Sequence, residues 1–400
     1  MDRPLTILQI CPQIPFPPDD GGKISVWNIT KHLALRGHRI TMLTFGDQEN
    51  IPEELQEIAS VVTVKHDTRT KIFGIGKNLF SHLPYTISKY QTVKMVDALR
   101  RLCSEQKFDV VHTDYPHMLP YGIIAKKEFG LPLCHRAHDY ETKIYRRYAE
   151  AQSRTLFKQY MKMQTKRIEL WEKSQIACVD ICVAITQEDA NEILSKISVP
   201  MIVIPAGVDL DGHPVLDRSL ENPHSIALLG SLSWQPNLDA AEWFLSEIFP
   251  LIQEKIPDAT VSIIGASPPA SLLARQSENI RITGFVENVQ KVLSSIQVLA
   301  VPLRMGGGMR IKLLEFFSNG KAVVSTTIGA EGNSAMPGVH YRCADTPEDF
   351  SRAIIELFAS ASQRAALGDA ARLFVSEHYS WLKCAEEFEA AYWSIMQKQS

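Results

Sequence analysis

Short apolar segments, most of them rich in β-branched residues, alternate along the chain with longer segments of helical periodicity. The short segments form two series, one from 5–11 to 201–207 and the other from 225–231 to 322–326. Strands that are apolar on both faces belong to parallel sheets covered by helices, and the alternation predicts βαβ units. A single open sheet containing all of these strands would be unusually wide. We therefore predict an α/β fold with two doubly wound domains.

The segment that separates the two series contains Pro, Gly, Asp and Asn without strong periodicity, as linkers do. It predicts a first domain over residues 1–205 and a second over 206–379. An amphipathic pattern begins near Ser380, which is a suitable N-cap residue. We expect residues 380–400 to form a C-terminal helix that packs back toward the first domain.

A glycine triplet, Gly306, Gly307 and Gly308, lies between the end of a predicted strand and the start of a predicted helix, 309–318. Ligands of doubly wound sheets bind outside the carboxyl ends of the strands. Glycine lets a ligand approach the backbone closely, and the free N–H groups at a helix N-terminus favour an anion. The triplet therefore predicts an anion site. It is neither a P-loop nor a dinucleotide fingerprint.

Two cations follow the triplet, Arg310 and Lys312, at a helix end where positive charge is unfavourable unless an anion is bound. Glu315 lies at the edge of the apolar stripe of the same helix, where a carboxylate could accept hydrogen bonds from a ribose diol. An ordinary amphipathic helix also fits this pattern. In that interpretation Lys312 and Glu315 form an i,i+3 ion pair of about 0.2–0.5 kcal/mol, and the glycines are a flexible turn.

A second glycine pair, Gly21 and Gly22, precedes a predicted helix that ends before Gly37. Two glycine turns facing across a cleft could hold the two ends of one ligand. A plain loop fits Gly21 and Gly22 equally well.

Several motifs, taken in order, resemble those of the family-four glycosyltransferases, which have the two-domain GT-B fold. They are PPDDGGKISVWNITKHLALRGHRITMLTF, HRAHDYET, AITQEDA, IPAGVD, GSLSWQPNLDAAEWF, ITGFVENV and VPLRMGGGMRIKLLEFFSNGKAVVST. The resemblance implies two Rossmann-like domains facing across a cleft. It also implies transfer of a hexose from a nucleotide diphosphate sugar to a glycan, lipid-linked or small-molecule acceptor, with retention at the anomeric carbon.

The resemblance also assigns roles to individual residues. His138 matches a histidine near the donor sugar, although a satisfied structural histidine is the alternative. Glu315 matches the second glutamate of an E-x7-E pattern that binds ribose hydroxyls, whereas the first falls on Gly307 and is absent. The loop of Gly284, Phe285 and Val286 matches the one whose backbone contacts the base.

The segment GSLSWQPN lacks the donor-phosphate cations that many family members carry after the first strand of the second domain. We therefore expect Arg310 and Lys312 to stabilise the diphosphate, as catalytic residues alongside His138. Stabilisation by these side chains and by backbone N–H groups needs no metal ion. The acidic DLD of 209–211 is expected to be a loop feature. We predict no cofactor other than the nucleotide sugar substrate.

The composition of the chain argues against several other classes of protein. A formal net charge of -3 gives no basic field for nucleic acid. The cysteines show no CxxC pair or zinc-ligand spacing, which is typical of a reducing compartment. We expect no signal peptide and no membrane-spanning helix, because the required apolar segments are missing. These features predict a cytoplasmic protein.

Residues 141–175 are basic, helical in pattern and interspersed with aromatic residues. They could contact anionic lipid at the inner face of the membrane, close to a lipid-linked acceptor. A solvated helix pair packed on the first domain is the alternative that we favour. Two alternatives to a transferase also fit the resemblance: a GT-B sugar-nucleotide epimerase, and a non-catalytic subunit that binds nucleotide sugars.

Overall fold

The computed structural model describes residues 3–18, 21–69, 74, 76, 78–138, 140–151, 155–305 and 309–397. The chain forms two compact units. Unit 1 contains Met1–Pro205 and Cys384–Ser400, and unit 2 contains Ala206–Lys383. Each unit has one parallel sheet flanked by helices, which confirms the predicted class of two doubly wound α/β domains.

Unit 1 is built on a seven-stranded sheet with the strand order β3-β2-β1-β4-β5-β6-β7. Its strands are β1 (Thr6–Cys11), β2 (Arg39–Phe45), β3 (Ser60–Val64), β4 (Val110–Asp114), β5 (Leu133–Ala137), β6 (Ile181–Ala184) and β7 (Met201–Val203). Its helices are α1 (Gly21–Leu35), α2 (Glu53–Gln56), α3 (Tyr85–Ser88), α4 (Val93–Glu105), α5 (Leu119–Phe129), α6 (Glu141–Ala151), α7 (Thr155–Ile176) and α8 (Gln187–Leu194). Short 3-10 turns occur at Gln48–Asn50 and Pro116–Met118.

Unit 2 is built on a six-stranded sheet with the strand order β10-β9-β8-β11-β12-β13. Its strands are β8 (Ser225–Leu229), β9 (Thr260–Ile264), β10 (Ile280–Gly284), β11 (Val298–Val301), β12 (Ala322–Ser325) and β13 (Arg342–Cys343). Its helices are α9 (Gln235–Trp243), α10 (Phe249–Lys255), α11 (Ala270–Leu273), α12 (Val289–Ser294), α13 (Ile311–Ser318), α14 (Pro347–Ala359) and α15 (Ala361–His378). A π-helical segment, Phe244–Ile248, joins α9 to α10, and 3-10 turns occur at Arg218–Leu220 and Ile328–Ala330. The last helix, α16 (Trp381–Met396), begins in unit 2 and continues into unit 1.

The strand orders place one switch point in each sheet. In unit 1 the chain leaves β1 toward β2 on one side and returns on the other side with β4. In unit 2 the same reversal places β8 between β9 and β11. Helices cross in opposite directions at such a point, so a crevice opens at the carboxyl ends of the two central strands. Both crevices contain the polar groups described below.

The helices next to the two glycine segments, α1 and α13, do not begin at the residues predicted from the sequence. Helix α1 begins at Gly21, so Gly21 and Gly22 belong to its first turn and do not form a turn before it. Amide groups in the first helical turn have no partner within the helix, so these glycines leave backbone N–H groups accessible. Helix α13 begins at Ile311, with Arg310 in the N-cap position, and not at 309. It ends at Ser318, and Gly320 follows with φ +67.

Helices α6 and α7 pack together on unit 1. Ile168, Trp171 and Ile176 of α7 belong to the core of the unit, while the opposite face of the helix is exposed. None of the described helices is both long and apolar enough to cross a bilayer.

Gly368 of α15 provides a test of the packing in unit 2. A Cβ atom at this position would lie 2.0 Å from the backbone oxygen of Gly320, which cannot move aside as a side chain could. Alanine in a helix interior is intrinsically favoured over glycine by about 1 kcal/mol, but overpacking costs about 1–3 kcal/mol or more. We expect Gly368→Ala to lower the melting temperature by about 3–10 °C in differential scanning calorimetry. Gly76→Ala is the matched control, because an added Cβ there has open space; equal effects of the two changes would contradict the packing.

Candidate functional site

A cavity of about 480 Å³ opens at the switch point of the unit 2 sheet. Its walls come from the carboxyl ends of β8 and β11, the start of α9 and the start of α13. Apolar side chains form most of the wall, including Leu228, Ile263, Val301 and Leu313. The position is the one at which doubly wound sheets bind ligands.

Arg310 and Lys312 are the only charged side chains among the described residues that line this cavity. Arg310 is 7% exposed; its Nε donates to the carbonyl of Ile328 at 3.2 Å, and Glu331 lies 3.7 Å from its Nη2. Lys312 is half-buried and has no hydrogen bond or ion pair within the described chain. The cavity therefore has a positive potential with no acidic side chain in its described wall, which favours an anionic ligand.

The alternative prediction of an ordinary amphipathic helix for α13 included an ion pair between Lys312 and Glu315. Lys312 and Glu315 form no ion pair in the described part of the chain. Glu315 is half-buried and lies outside the described lining of the cavity. The glycine triplet 306–308, between β11 and α13, lies outside the described residues.

The predicted base loop is near the cavity but does not line it. Gly284 ends β10 with φ +68, and Phe285 is 76% exposed, whereas Val286 packs partly on the core. The carbonyl of Gly284 accepts a hydrogen bond from Gly265 at 3.1 Å. Gly265 in turn packs so closely on Gly230 of the cavity wall that a Cβ would lie 1.8 Å from the Gly230 oxygen. Through these contacts the loops after β8, β9 and β10 pack against one another at the carboxyl edge of the unit 2 sheet.

The segment GSLSWQPN, singled out for lacking a cation, supplies polar and aromatic wall to the cavity. Ser231, Trp234 and Asn237 line it, and the Asn237 side chain donates to the Ser231 carbonyl at 2.9 Å. Nearby, Arg304 makes a bidentate ion pair with Asp239 at 2.7 and 3.0 Å. This pair anchors the β11–α13 connection to α9.

In unit 1 the switch point contains a buried carboxylate, Asp114, that sequence patterns did not identify. Asp114 ends β4 with no exposed surface. Its Oδ2 accepts a hydrogen bond from Gln9 at 2.9 Å, and its Oδ1 lies 3.0 Å from Nε2 of His138. The imidazole ring of His138 also stacks on the ring of Tyr115, with the two ring centroids 3.8 Å apart. His138, which sequence reasoning did find, is therefore held rigidly.

Further members of this cluster come from distant parts of the sequence. Arg136 has no exposed surface, and its Nη1 lies 3.8 Å from Asp114. Arg136 also donates to Ser25 in α1, the helix that begins with Gly21 and Gly22. The signal that could have revealed the cluster is the polar ending of two otherwise apolar strands, VVHTD and LCHRA.

Burial keeps His138 neutral at ordinary pH. Burial lowers the pKa of His138 to about 4, with the positive charge of Arg136 as a further cause. Burial would raise the pKa of Asp114, but its contacts with His112 and His138 lower it well below its usual range. At neutral pH the pair is therefore a carboxylate and an uncharged imidazole.

A metal site is not assembled in the described chain, where no group of three or more His, Cys, Asp or Glu side chains could hold an ion. Asp209 of the DLD segment instead accepts hydrogen bonds from the backbone N–H groups of Asp211 and Gly212, both at 3.1 Å. In these contacts the Asp209 carboxylate stabilises the backbone of its own loop.

Two family models match consecutive parts of the chain. One, described as Glycosyltransferase Family 4, matches residues 20–211, and the other, Glycosyl transferases group 1, matches residues 223–360. The chain belongs to the family-four type of glycosyltransferases.

Individual proteins are more distant. The chain is 20% identical over 384 residues to an uncharacterized 44.6 kDa protein in the cps region of Klebsiella pneumoniae, covering 93% of this chain and 96% of that protein. It is 23% identical over 404 residues to the D-inositol 3-phosphate glycosyltransferase of Geodermatophilus obscurus, covering 94% and 85%. The structure of Anabaena HepE in complex with UDP-glucose matches with a TM-score of 0.63 at 12% identity, covering 97% and 99% of the two chains. The fold is therefore GT-B.

The buried histidines predict how the stability of unit 1 depends on pH. Burial lowers the pKa of His117 and His135 to about 3 each, below the value of about 6.5 in an unfolded chain. Between about pH 6.5 and 4 the unfolded state therefore binds protons that the folded state does not. Each such histidine lowers the free energy of unfolding by about 1.4 kcal/mol per unit fall in pH.

We expect His117→Phe, which preserves a ring between Tyr90 and Tyr115, to reduce this acid dependence by about 1.4 kcal/mol per pH unit. Hydrogen exchange of the β4 and β5 amides, corrected for intrinsic rates, measures it. A comparison at pH 8 isolates the packing change, because there the histidines no longer titrate. Parallel pH curves for wild type and variant would contradict a neutral, buried His117.

Proposed function

We propose that the protein transfers a hexose from a nucleotide diphosphate sugar to a glycan, lipid-linked or small-molecule acceptor, with retention at the anomeric carbon and without a metal ion. The observation that supports this most strongly is the unit 2 cavity, with Arg310 and Lys312 as the only charges in its described wall. The bound UDP-glucose of Anabaena HepE supports a nucleotide diphosphate sugar as the donor.

The proposed roles of Arg310 and Lys312 follow from where negative charge develops during the reaction. Breaking the bond between the sugar and the diphosphate leaves negative charge on the diphosphate. In an apolar cavity, fixed cations and helix N–H groups stabilise such charge more strongly than water-exposed groups would, and they need little reorganisation. Arg310, fixed by Ile328 and Glu331, supplies a preorganised guanidinium, and Lys312 supplies a second charge at the start of α13. His138 takes the place nearest the donor sugar, and Glu315 and the Gly284 loop contact the nucleoside.

Lys312→Ala and Glu315→Ala test the donor site. A charge-assisted contact is worth about 1.5–3 kcal/mol, so each change should lower activity at least about tenfold. The assay follows release of nucleoside diphosphate in the presence of donor and an acceptor panel, with EDTA added in a parallel series. Lys255→Ala, at an exposed position on α10 of the same unit, is the matched control. Near-normal rates in both site variants would remove the assignment.

A thermal-shift screen with nucleotide sugars comes first, because it needs no acceptor. Stabilisation by a nucleotide sugar and not by NAD is expected from binding linkage; no shift with any nucleotide sugar would count against the proposal.

Product analysis then separates the alternatives to a transferase. Conversion of the donor sugar without acceptor identifies an epimerase, and binding without turnover across the acceptor panel identifies a non-catalytic subunit. An inverted anomeric carbon in the product, measured by NMR, would contradict retention.

The exposed face of α7 supports a peripheral location at the inner face of the membrane, close to a lipid-linked acceptor. Lys162, Lys166, Leu170 and Lys173 follow one another at helical spacing on this face and are all exposed. The three lysines have no ion pair within the described chain. Beside them, Arg167 donates to the carbonyl of Leu79, next to Phe80, which is 93% exposed. Unpaired cations next to exposed apolar side chains are the complement of an anionic bilayer surface.

Charge reversal tests this surface. Each lysine near an anionic bilayer contributes about 1 kcal/mol, so Lys162→Glu, Lys166→Glu and Lys173→Glu together should lower membrane partitioning at least about 100-fold. Co-sedimentation with phosphatidylcholine vesicles, with and without phosphatidylglycerol, measures the change. The control carries the same change in net charge on exposed side chains of the α4 region, as Lys94→Glu, Arg101→Glu and Lys107→Glu. Equal losses in both triple variants would show a general charge effect, and no binding by the wild type would exclude the surface.

A further inference from the structure

A cleft of about 380 Å³ opens in unit 1 between the end of β3 and helix α3, and none of its described residues belongs to the donor site. Three charged side chains line it, those of Asp67, Arg69 and Lys89. Hydroxyl and carboxamide groups, which can donate hydrogen bonds to a polar ligand, supply much of the remaining described wall. They belong to Asn78, Ser81, Tyr85, Ser88 and Gln91.

The charge of Lys89 is not paired within the described wall of this cleft. Arg69 and Asp67 pair with each other through two hydrogen bonds, at 2.9 and 3.1 Å, so their charges largely cancel. Nζ of Lys89 lies 5.1 Å from the ring centroid of Tyr90 and makes no hydrogen bond or ion pair within the described chain. Burial lowers the pKa of Lys89, because its charge is partly removed from water. An anion bound in the cleft would offset that cost.

A row of stacked rings leads from Lys89 to His138 along the carboxyl edge of the unit 1 sheet. The ring of Tyr90, beside the Lys89 ammonium, stacks on His117 with the ring centroids 4.0 Å apart. His117 stacks on Tyr115 at 5.4 Å, and Tyr115 stacks on His138 at 3.8 Å. Three rings therefore separate the ammonium from His138, so an acceptor a few sugar units long could contact both.

Exposed apolar side chains occur at the rim of the same cleft. Leu79 and Phe80 directly follow the lining residue Asn78, and Phe80 is 93% exposed. Helix α7 fixes this segment, because Gln164 donates to the Asn78 side chain at 2.9 Å and Arg167 donates to the Asn78 carbonyl at 2.8 Å. The rim is therefore anchored to the helix that carries the basic surface proposed to face the membrane.

We propose that this cleft binds the phosphate group of a lipid-linked sugar acceptor, with Lys89 as the counterion of the phosphate. Lysine binds phosphate as a point charge, and the hydroxyl and carboxamide groups of the wall supply further donors. A lipid-linked acceptor carries an apolar chain, a phosphate and a sugar in that order. Unit 1 offers matching groups next to one another: the rim at Leu79 and Phe80, the Lys89 ammonium, and the rings that lead to His138. The inference rests on the proposed function, whose acceptor it narrows to one class.

The first test measures binding and does not depend on turnover. Farnesyl phosphate, a soluble lipid phosphate, is titrated into the full-length protein by calorimetry. Lys89→Met removes a charge-assisted contact and should weaken binding at least about tenfold, whereas Lys89→Arg keeps the charge and should weaken it less than about threefold. Lys107→Met is the control, because Lys107 is exposed in unit 1 and lies outside the described wall of the cleft. Equal affinities of the wild type and Lys89→Met would overturn the proposal.

Further titrations identify where the ligand binds and which part of it is recognised. The unit 2 cavity also attracts anions, so the titration is repeated with Lys312→Ala, in which binding should be unchanged. Loss of binding in Lys312→Ala and not in Lys89→Met would place the ligand in unit 2 and overturn the proposal. Farnesol, which lacks the phosphate, should bind at least about tenfold more weakly than farnesyl phosphate. Inorganic phosphate that bound as tightly as farnesyl phosphate would show a general anion site and overturn the assignment to a lipid-linked acceptor.

The second test uses rates, with a panel of sugars linked to farnesyl phosphate or diphosphate and the same sugars without the lipid phosphate. In Lys89→Met the KM for a lipid-linked acceptor should rise at least about tenfold, with the KM for the donor changed less than about twofold. Transfer to the free sugars as efficient as to the lipid-linked ones would overturn the inference and leave the proposed function standing. Binding of farnesyl phosphate that depends on Lys89, without transfer from any donor, would contradict the proposed function and leave the phosphate site established.

Discussion

An ionised carboxylate without any exposed surface is stable only where donors and positive charge surround it, and Asp114 imposes this requirement on the carboxyl edge of the unit 1 sheet. Its neighbours are drawn from β1, β4 and β5 and from the loop that follows β5. The parallel register meets the requirement, because Gln9 pairs with His112 and Asp114 pairs with Arg136. Shifting one strand by a single residue would turn its polar side chains to the other face of the sheet. The buried charge therefore fixes the register at the place where the switch point opens.

The candidate site of unit 2 is lined by cations, whereas the switch point of unit 1 is built around a buried carboxylate. The unit 2 cavity is mainly apolar, and the described wall has two cations and no acid. Glu331 lies 3.7 Å from Arg310, and with 52% of its side chain exposed it is well solvated, so this ion pair is weak. Lys312 keeps partial contact with water, and Arg310 is anchored by the Ile328 carbonyl. An anion that enters this cavity therefore meets two cations and no acidic side chain in the described wall, which favours its binding.

Much of the fold could be predicted from the sequence, because buried parallel strands are apolar on both faces and contrast with the helices between them. The strand β13 could not, since two residues at a sheet edge give no pattern. In the site, Arg310 and Lys312 stood out because cations break a local rule at a helix N-terminus. The Asp114 cluster did not stand out, since its members extend from Gln9 to His138 and only the strand order brings them together. Single polar residues at the ends of apolar strands become informative only when the register is known.

The two charge distributions suit the proposed reaction in complementary ways. A sugar leaving a diphosphate carries partial positive charge, while the diphosphate becomes more negative. Cations are therefore useful beside the diphosphate and harmful beside the sugar carbon. Arg310 and Lys312 supply the first condition in the unit 2 cavity. In unit 1 the positive charge of Arg136 is buried against Asp114, and His138, with a pKa of about 4, adds no charge at neutral pH. A histidine kept neutral by burial can therefore accept a hydrogen bond from the sugar without opposing the charge that develops on it.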